Sequence, residues 1–345
     1  MKKKVLFIAD WPEEKGNVKK LQAFLDNECS ENYDWKVWSC KEAKDSRLFY
    51  RWYCYIKGAF YAINNRKKYD AVFFWQQMAG YTLFEIISII PFKMPDIVFY
   101  TFFNYHSSGI SGKFKKHMVR NAFRHSKGLI WPSEKMASDV NKDFPEFVYK
   151  NHFALNPIMD VIETNVPVAK ELDDPKFRNG IYTAGKSERD FNIVIRAFRN
   201  TDIPVTIVCA DDYAITETDI TANIRVLRFA QVDHIQYYAL AEQAFCILIS
   251  TADEKSPCGQ IIVAYAMENS IPLIATDCYG VKDYVVHNEN GVLFKIGQAD
   301  EILKAYQKLK SDDSFRNKLI ANALVTAKEL GPGPYIKKII SIIEN

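Results

Sequence analysis

The chain has 345 residues, 48% hydrophobic and 25% charged, which excludes a disordered or collagen-like polymer and suits two soluble domains with cores of their own. Its seven cysteines are odd in number and form no C-x-x-C pair, so the reduced thiols of a cytoplasmic protein are expected and a zinc site is not. The formal charge of +3 conceals an asymmetry: residues 1–150 hold 25 Lys and Arg against 16 Asp and Glu, and the remainder holds 20 against 26. A basic first half is expected to meet an anionic partner, such as a membrane surface or an anionic lipid-linked acceptor. No recognition-helix, sheet-aromatic or zinc-finger signature accompanies the charge, so nucleic acid is not an expected partner.

The first ten residues begin like a signal peptide, but the apolar run Val5-Leu6-Phe7-Ile8-Ala9 stops at Asp10, too short for an h-region. No apolar stretch is long enough to span a bilayer. The first half alternates strand candidates (4–9, 36–39, 71–75, 97–101, 128–131 and 147–151) with helix candidates (17–27, 47–65, 81–89, 111–124 and 133–141). Ser133 is the expected N-cap of the last of these. In residues 47–68, Leu48, Trp52, Ile56, Phe60 and Ile63 recur at nearly helical spacing among basic residues. Such a stripe either lies in a membrane interface or packs on the first sheet; packing is the expected reading, because an interior helix needs an apolar face anyway.

Turn signals at Asn156-Pro157, Val166-Pro167 and Asp173-Asp174-Pro175 break the pattern. They place a linker at 161–178, between an N-terminal domain at 1–160 and a second domain at 179–330. A second series of strands follows at 180–184, 205–209, 224–229, 245–250, 272–276 and 291–294. Gly331-Pro332-Gly333-Pro334 then opens a final apolar helix within 331–345. The alternation predicts an α/β protein with two doubly wound parallel sheets of Rossmann-like type, facing a central cleft at the carboxyl ends of their strands.

Three places along this frame carry candidate chemistry. Gly185-Lys186-Ser187-Glu188-Arg189 follows the first strand of the second domain and precedes an amphipathic helix. A strand, a glycine, two cations and a helix start make an anion site. Asp253-Glu254-Lys255-Ser256-Pro257-Cys258-Gly259 leads into a helix from Gln260, where free backbone N–H groups and the macrodipole favour an anion. In the first domain, His106 follows a buried strand and is expected to face the cleft. The other five histidines read as surface or core residues.

Residues 250–294, from STADEKSPCGQIIVAYAMENSIPLIATDCYG to NENGVLF, resemble the donor-nucleotide site of retaining glycosyltransferases with the GT-B fold, in particular family four, the glycogen-synthase-like group. The resemblance implies that Lys186 and Arg189 supply two cations to a donor diphosphate, with lysine in place of the usual first arginine. It implies further donor contacts at Gly185, at Ser256, Pro257, Cys258, Gly259 and Gln260, and at Asp277 on the cleft edge. His106 matches a histidine near the transferred sugar, and Gly16 matches a loop that approaches donor and acceptor. The last helix often crosses back to the first domain in such proteins; a helix capping the second domain is the equal alternative.

One position departs from the pattern. The family's helix glutamate, which bonds the donor ribose, is replaced by Tyr265, and the glutamate eight residues earlier by Pro257. A phenol donates a hydrogen bond but cannot accept two from a ribose diol as a carboxylate does. Either Tyr265 holds the ribose differently or the donor site is weakened.

The implied activity is a retaining, metal-independent hexosyl transfer with no cofactor. The donor is a UDP-, GDP- or dTDP-sugar and the acceptor a glycan or a lipid-linked intermediate, in cell-surface polysaccharide or glycoconjugate synthesis. The expected place is the cytoplasm, with peripheral contact at the inner face of the plasma membrane. The alternative from another class is a non-catalytic GT-B subunit that binds or scaffolds an active transferase. A sugar-nucleotide epimerase is a third reading, with no evident pair of carboxylates for proton abstraction.

Overall fold

The computed structural model describes residues 2–9, 17–40, 48–103, 105, 109–155, 164–186, 188–217, 220–256 and 258–345. The chain divides into two units: residues up to Leu155 together with Pro332–Asn345, and the intervening residues as far as Gly331.

The first unit is built on β1 (Lys3–Ala9), β2 (Tyr33–Ser39), β3 (Ala71–Phe74), β4 (Asp96–Tyr100), β5 (Gly128–Trp131) and β6 (Asn151–Phe153). These form one parallel sheet in the order β2-β1-β3-β4-β5-β6. Between them lie α1 (Asn17–Glu28), α2 (Leu48–Asn65), α3 (Gln77–Ile89), α4 (Gly109–His125) and α5 (Glu134–Asp143). Along β1, Leu6 and Ile8 enter the core shared with α2 to α5, while Val5, Phe7 and Ala9 enter the core shared with α1. Both faces are covered, so the strand reads as an unbroken apolar run.

Two expectations are corrected here. Residues 147–151 are not a strand: Pro145–Lys150 is a 3-10 turn and β6 starts at Asn151. Pro145 has no N–H to give a ladder and sits in the first turn, while the Phe147 ring stacks on Phe123 at 5.1 Å, so the apolar residues anchor a turn. The stripe on α2 packs on the sheet at Ile63 and not at Trp52, Ile56 or Phe60. Its buried side is Cys54, Tyr55, Ala59, Ala62 and Ile63, and Trp52, Ile56 and Phe60 are 42%, 44% and 48% exposed. Small residues at Gly58, Ala59 and Ala62 let the helix approach its neighbours closely, which turns the bulky side chains outward. Ser133 occupies the N-cap of α5, but its hydroxyl makes no capping bond.

The second unit has β7 (Ile181–Gly185), β8 (Val205–Cys209), β9 (Ile224–Arg228), β10 (Cys246–Ile249), β11 (Leu273–Thr276) and β12 (Val292–Phe294), all parallel, in the order β12-β11-β10-β7-β8-β9. Its helices are α6 (Phe191–Phe198), α7 (His234–Glu242), α8 (Gln260–Glu268), α9 (Tyr279–Lys282), α10 (Ala299–Ser311) and α11 (Asp313–Ala327). The order of strands reverses between β7 and β10, and in the first unit between β1 and β3. Ligands of open α/β sheets bind outside the carboxyl ends of the strands at such reversals.

The last helix, α12 (Pro332–Glu344), packs in the first unit. It buries Tyr335, Ile336, Ile339, Ile342 and Ile343 in the core lined by β1, β2, β3 and β4. The Tyr335 ring meets Trp75 edge-on at 5.6 Å. All seven cysteines are free thiols. Among the described residues no helix is long and apolar enough to cross a membrane.

Candidate functional site

The reversal between β7 and β10 is closed by a short backbone ladder. Arg189 and Thr251 form an antiparallel bridge. The Asp190 N–H donates to the Ser250 carbonyl and the Ala252 N–H to the Glu188 carbonyl, both at 3.1 Å. The loop after one strand is thereby fixed to the end of its neighbour. Gly185 ends β7 at a φ of 145°, and a Cβ there would lie 2.6 Å from the Arg189 Nε. Only glycine leaves room for the guanidinium to fold back over the strand end, where Nε donates to the Ala184 carbonyl at 3.1 Å. Asp190 accepts from the Ile193 N–H at 3.0 Å and so starts α6.

The Arg189 charge reaches three elements. It acts on Tyr237 in α7, on Cys258 before α8 and on Cys278 after β11. Burial pushes both thiols up, and the cation partly offsets this. Lys186 is exposed, with its Nζ 4.9 Å from the centre of the Phe229 ring, which stacks on Tyr237.

The loop into α8 is tied to the next loop along the rim. The Tyr279 N–H donates to the Glu254 carbonyl at 2.9 Å and the Gly280 N–H to the Ser256 carbonyl at 2.8 Å. Ser256 is buried, and its Oγ accepts from the Cys258 N–H at 3.3 Å. Gly259 is the N-cap at a φ of 108°, and no side chain caps the helix. Gln260 follows, buried, with an Nε2 that has no partner among the described residues. The hydroxyls of Thr183 in β7 and of Ser250 after β10 are likewise buried without a partner there. An uncapped helix start beside a guanidinium offers donors and positive charge to an anion.

Gly185, Lys186, Arg189, Ser256, Cys258, Gly259 and Gln260 therefore line the carboxyl-end rim of the second sheet. Asp277 lies on the same rim, exposed, with its carboxylate 3.2 Å from Lys282 Nζ. Tyr265 does not join them. It is 1% exposed, its ring packs on Tyr238 at 4.5 Å, and its hydroxyl donates to Glu242 Oε1 at 2.8 Å. Burial first and the Glu242 carboxylate second push its phenol well up. Its one donor hydrogen is thus committed inside the unit, between α7 and α8. Glu242 was not legible in the sequence, since it lies 23 positions away with no local signal. Phe229 had one: it closes an expected strand, at the rim.

His106, Gly16 and Pro257 lie outside the described residues. Near the first of these, the loop after β4 is held by Gln77, whose Oε1 accepts from the Phe102 N–H at 3.2 Å. Trp75 stacks on Tyr100 at 4.7 Å on the same rim. Among the described residues no group of three or more His, Cys, Asp or Glu is arranged to hold a metal.

Residues 184–325 match the model of the family described as glycosyl transferases group 1. HepE of Anabaena, solved in complex with UDP, superposes with a TM-score of 0.69 at 14% identity, covering 99% of this chain and 100% of that one. The fold is GT-B. Sucrose-phosphate synthase from Thermosynechococcus elongatus has a TM-score of 0.67 at 13% identity, with 99% and 98% covered. A putative UDP-N-acetylglucosamine 2-epimerase from Listeria monocytogenes has 0.62 at 10% identity, with 100% and 96% covered. No curated protein sequence matches the chain.

Proposed function

We propose that this protein is a glycosyltransferase that takes a sugar from a nucleoside diphosphate donor bound on the second unit. One observation carries the reading. The matched segment, 184–325, holds the rim that carries Lys186, the Arg189 guanidinium and the uncapped start of α8, with the Arg189 charge acting on Cys258 just before that helix. In this reading the donor diphosphate sits on that rim, against Gly185, Ser256 to Gln260 and Asp277. Lys186 and Arg189 offset the charge that develops on the leaving diphosphate. The bond from the anomeric carbon to the diphosphate oxygen breaks, and the acceptor hydroxyl oxygen bonds to that carbon. The departing diphosphate takes the acceptor proton. His106 orients the sugar or the acceptor, and Gly16 lines the approach.

The reaction proceeds with retention and without a metal, as family four would have it, on a glycan or lipid-linked acceptor held by the first unit. UDP is the first donor base to test, because solved structures of the same fold hold UDP or UDP-glucose. The outward face of α2 supports peripheral contact with an anionic membrane, through Trp52, Ile56 and Phe60 beside Arg51 and Lys57. Synthesis of a cell-surface polysaccharide or glycoconjugate follows from such an acceptor.

Thermal stability followed against UDP, GDP, dTDP and their sugars tests the donor site, since a ligand of the native state raises the midpoint. UDP is expected to raise it, and Arg189→Ala to abolish the rise while the apo midpoint stays within a few degrees. A flat response to every nucleotide up to millimolar sinks the reading. Product anomeric configuration by NMR tests retention, and turnover in excess chelator tests metal independence.

The commitment of Tyr265 to Glu242 favours one second reading, a non-catalytic GT-B subunit that binds or scaffolds an active transferase. Nucleotide binding without turnover on any acceptor, joined to activation of a partner transferase, would establish it. Epimerised nucleotide sugar formed without an acceptor would instead place the chain with the epimerases.

A further inference from the structure

We infer that the first unit carries an anion site of its own, made to hold the phosphate group of a small phosphorylated molecule. The site is a cavity of about 490 Å³ at the rim where β4, β5 and β6 begin, so it lies at the other end of this sheet from the loops after β3 and β4. Arg124 at the end of α4, Lys127 before β5, Lys150 before β6 and Lys338 of α12 line it, against a single side-chain carboxylate, Asp96.

Two of these cations have structural work as well. Lys150 Nζ donates to the carbonyls of Phe123 and Ser126 at 2.9 and 2.7 Å. Lys127 Nζ donates to Asp96 at 3.0 Å and to the Ile343 carbonyl at 2.8 Å. They neutralise the carbonyl ends of α4 and α12. That role does not account for the rest of the wall. The side chains of Arg124 and Lys338 make no hydrogen bond or close ion pair among the described residues, although the Arg124 charge also acts on Glu146. Ser126 is buried, and its Oγ has no partner there. His125 and His152 also line the cavity, and Gly128 leaves the space that the His152 ring fills: a Cβ there would lie 2.9 Å from its Cδ2.

Burial, Arg124 and Lys150 hold His125 below the usual histidine range, with Glu85 pulling weakly the other way. Burial and Lys338 do the same to His152. Both rings are therefore neutral near pH 7, and each has one N–H to donate. Four cations, two imidazoles and a hydroxyl form a wall of donors with few acceptors, which suits a dianion with several oxygens. The volume leaves room for an organic part beside the phosphate. The exposed Tyr149 ring stands at the edge.

The phosphate has two conceivable carriers, a soluble phosphate ester and a phospholipid headgroup, and the test separates them. The imidazole signals of His125 and His152, assigned with His125→Gln and His152→Gln, are followed by NMR while inorganic pyrophosphate is added at constant ionic strength. A bound anion offsets the neighbouring cations, so both rings are expected to titrate roughly one pH unit higher. The response is expected to saturate, to vanish in Arg124→Ala/Lys338→Ala, and to persist in Arg189→Ala, which separates this cavity from the proposed donor rim. Sedimentation with vesicles of phosphatidylcholine, with and without phosphatidic acid, assigns the carrier. Binding to the anionic vesicles that the double variant loses names the headgroup, and its absence names the soluble ester. Signals that do not move up to millimolar pyrophosphate, or that move equally in a folded double variant, overturn the proposal. Arg124 is exposed and Lys338 half-exposed, so the variant is expected to fold, and Lys338→Gln alone serves as a milder check.

Discussion

Gly185→Ala tests the geometry of the rim most directly. The residue adopts a φ of 145°, which an L side chain rarely takes, at a cost of about 1–3 kcal/mol. The new Cβ would also lie 2.6 Å from Arg189 Nε and 3.0 Å from its Cζ. The guanidinium must move, and its bond to the Ala184 carbonyl is lost, for about 0.5–1.5 kcal/mol more. The second unit is expected to lose roughly 2–4 kcal/mol, at about 2–4 °C in melting midpoint for each. If Arg189 faces the diphosphate as proposed, nucleotide affinity should fall with it, because the cation is displaced. A double-mutant cycle isolates the two components: in an Arg189→Ala background the clash is gone, so Gly185→Ala should cost roughly 1 kcal/mol less than in the native chain. Strictly additive losses, or a Gly185→Ala protein that melts and binds nucleotide like the native one, would refute this account of why the glycine is there.

Tyr265→Phe should cost about 1–3 kcal/mol, since it leaves the Glu242 carboxylate without the 2.8 Å donor, yet it should not change UDP affinity; a large affinity loss with an unchanged midpoint would return Tyr265 to the donor site. Tyr237 is half-buried, and desolvation of its phenol pushes it up to about 12 against the opposing pull of Arg189. Its folded value lies above the unfolded one near 10, so the neutral ring's contribution is complete below about pH 10 and is lost as pH rises towards 12. Unfolding free energies measured across that window should fall, and less steeply in Tyr237→Phe. Trp52→Glu with Ile56→Glu should leave the unfolding free energy within about 1 kcal/mol of native, about 0.5 for each, because both side chains are half exposed. The same pair should reduce sedimentation with anionic vesicles several-fold, and undiminished binding would remove α2 from the membrane reading.

Regular elements were legible where burial repeats with a period. The helix from Gln260 to Glu268 was read from Ile262, Val263, Ala266 and Met267, all of which are buried. The edge strand β2 is expected at 36–39 from the sequence but starts at Tyr33. In the structure Asp34 and Lys36 alternate outward with buried Tyr33, Trp35 and Val37, the pattern of a half-buried strand. The stripe on α2 misled at Trp52, Ile56 and Phe60, though not at buried Ile63, because bulk was taken for burial: Ala59 and Ala62 carry less hydrophobicity than Trp52 and Phe60, but their small size decides which face fits closely. At the candidate site, the turn at Gly185 was legible because the chain after β7 takes a backbone conformation that favours glycine, whereas Lys186 and Arg189 were singled out by their place between a strand and a helix. The environment of Tyr265 was not, because Glu242 comes from another helix and only packing brings them together.

The return of α12 has a consequence for the order in which the protein is made. Its five buried large side chains stabilise the first unit by about 8–15 kcal/mol as an upper estimate, comparable with the whole stability of an ordinary domain. Everything between Leu155 and Pro332 must be synthesised before this helix emerges, on the order of 10–30 s at about 5–20 residues per second. During that interval the nascent first sheet has Val5, Phe7, Phe73 and Tyr100 on a face with its covering helix still missing. The second unit, whose residues all lie between Leu155 and Pro332, can close first. The half of the chain that begins the protein is therefore the half that finishes folding last, and a ribosome-bound intermediate with an open aromatic face is a natural client for a chaperone.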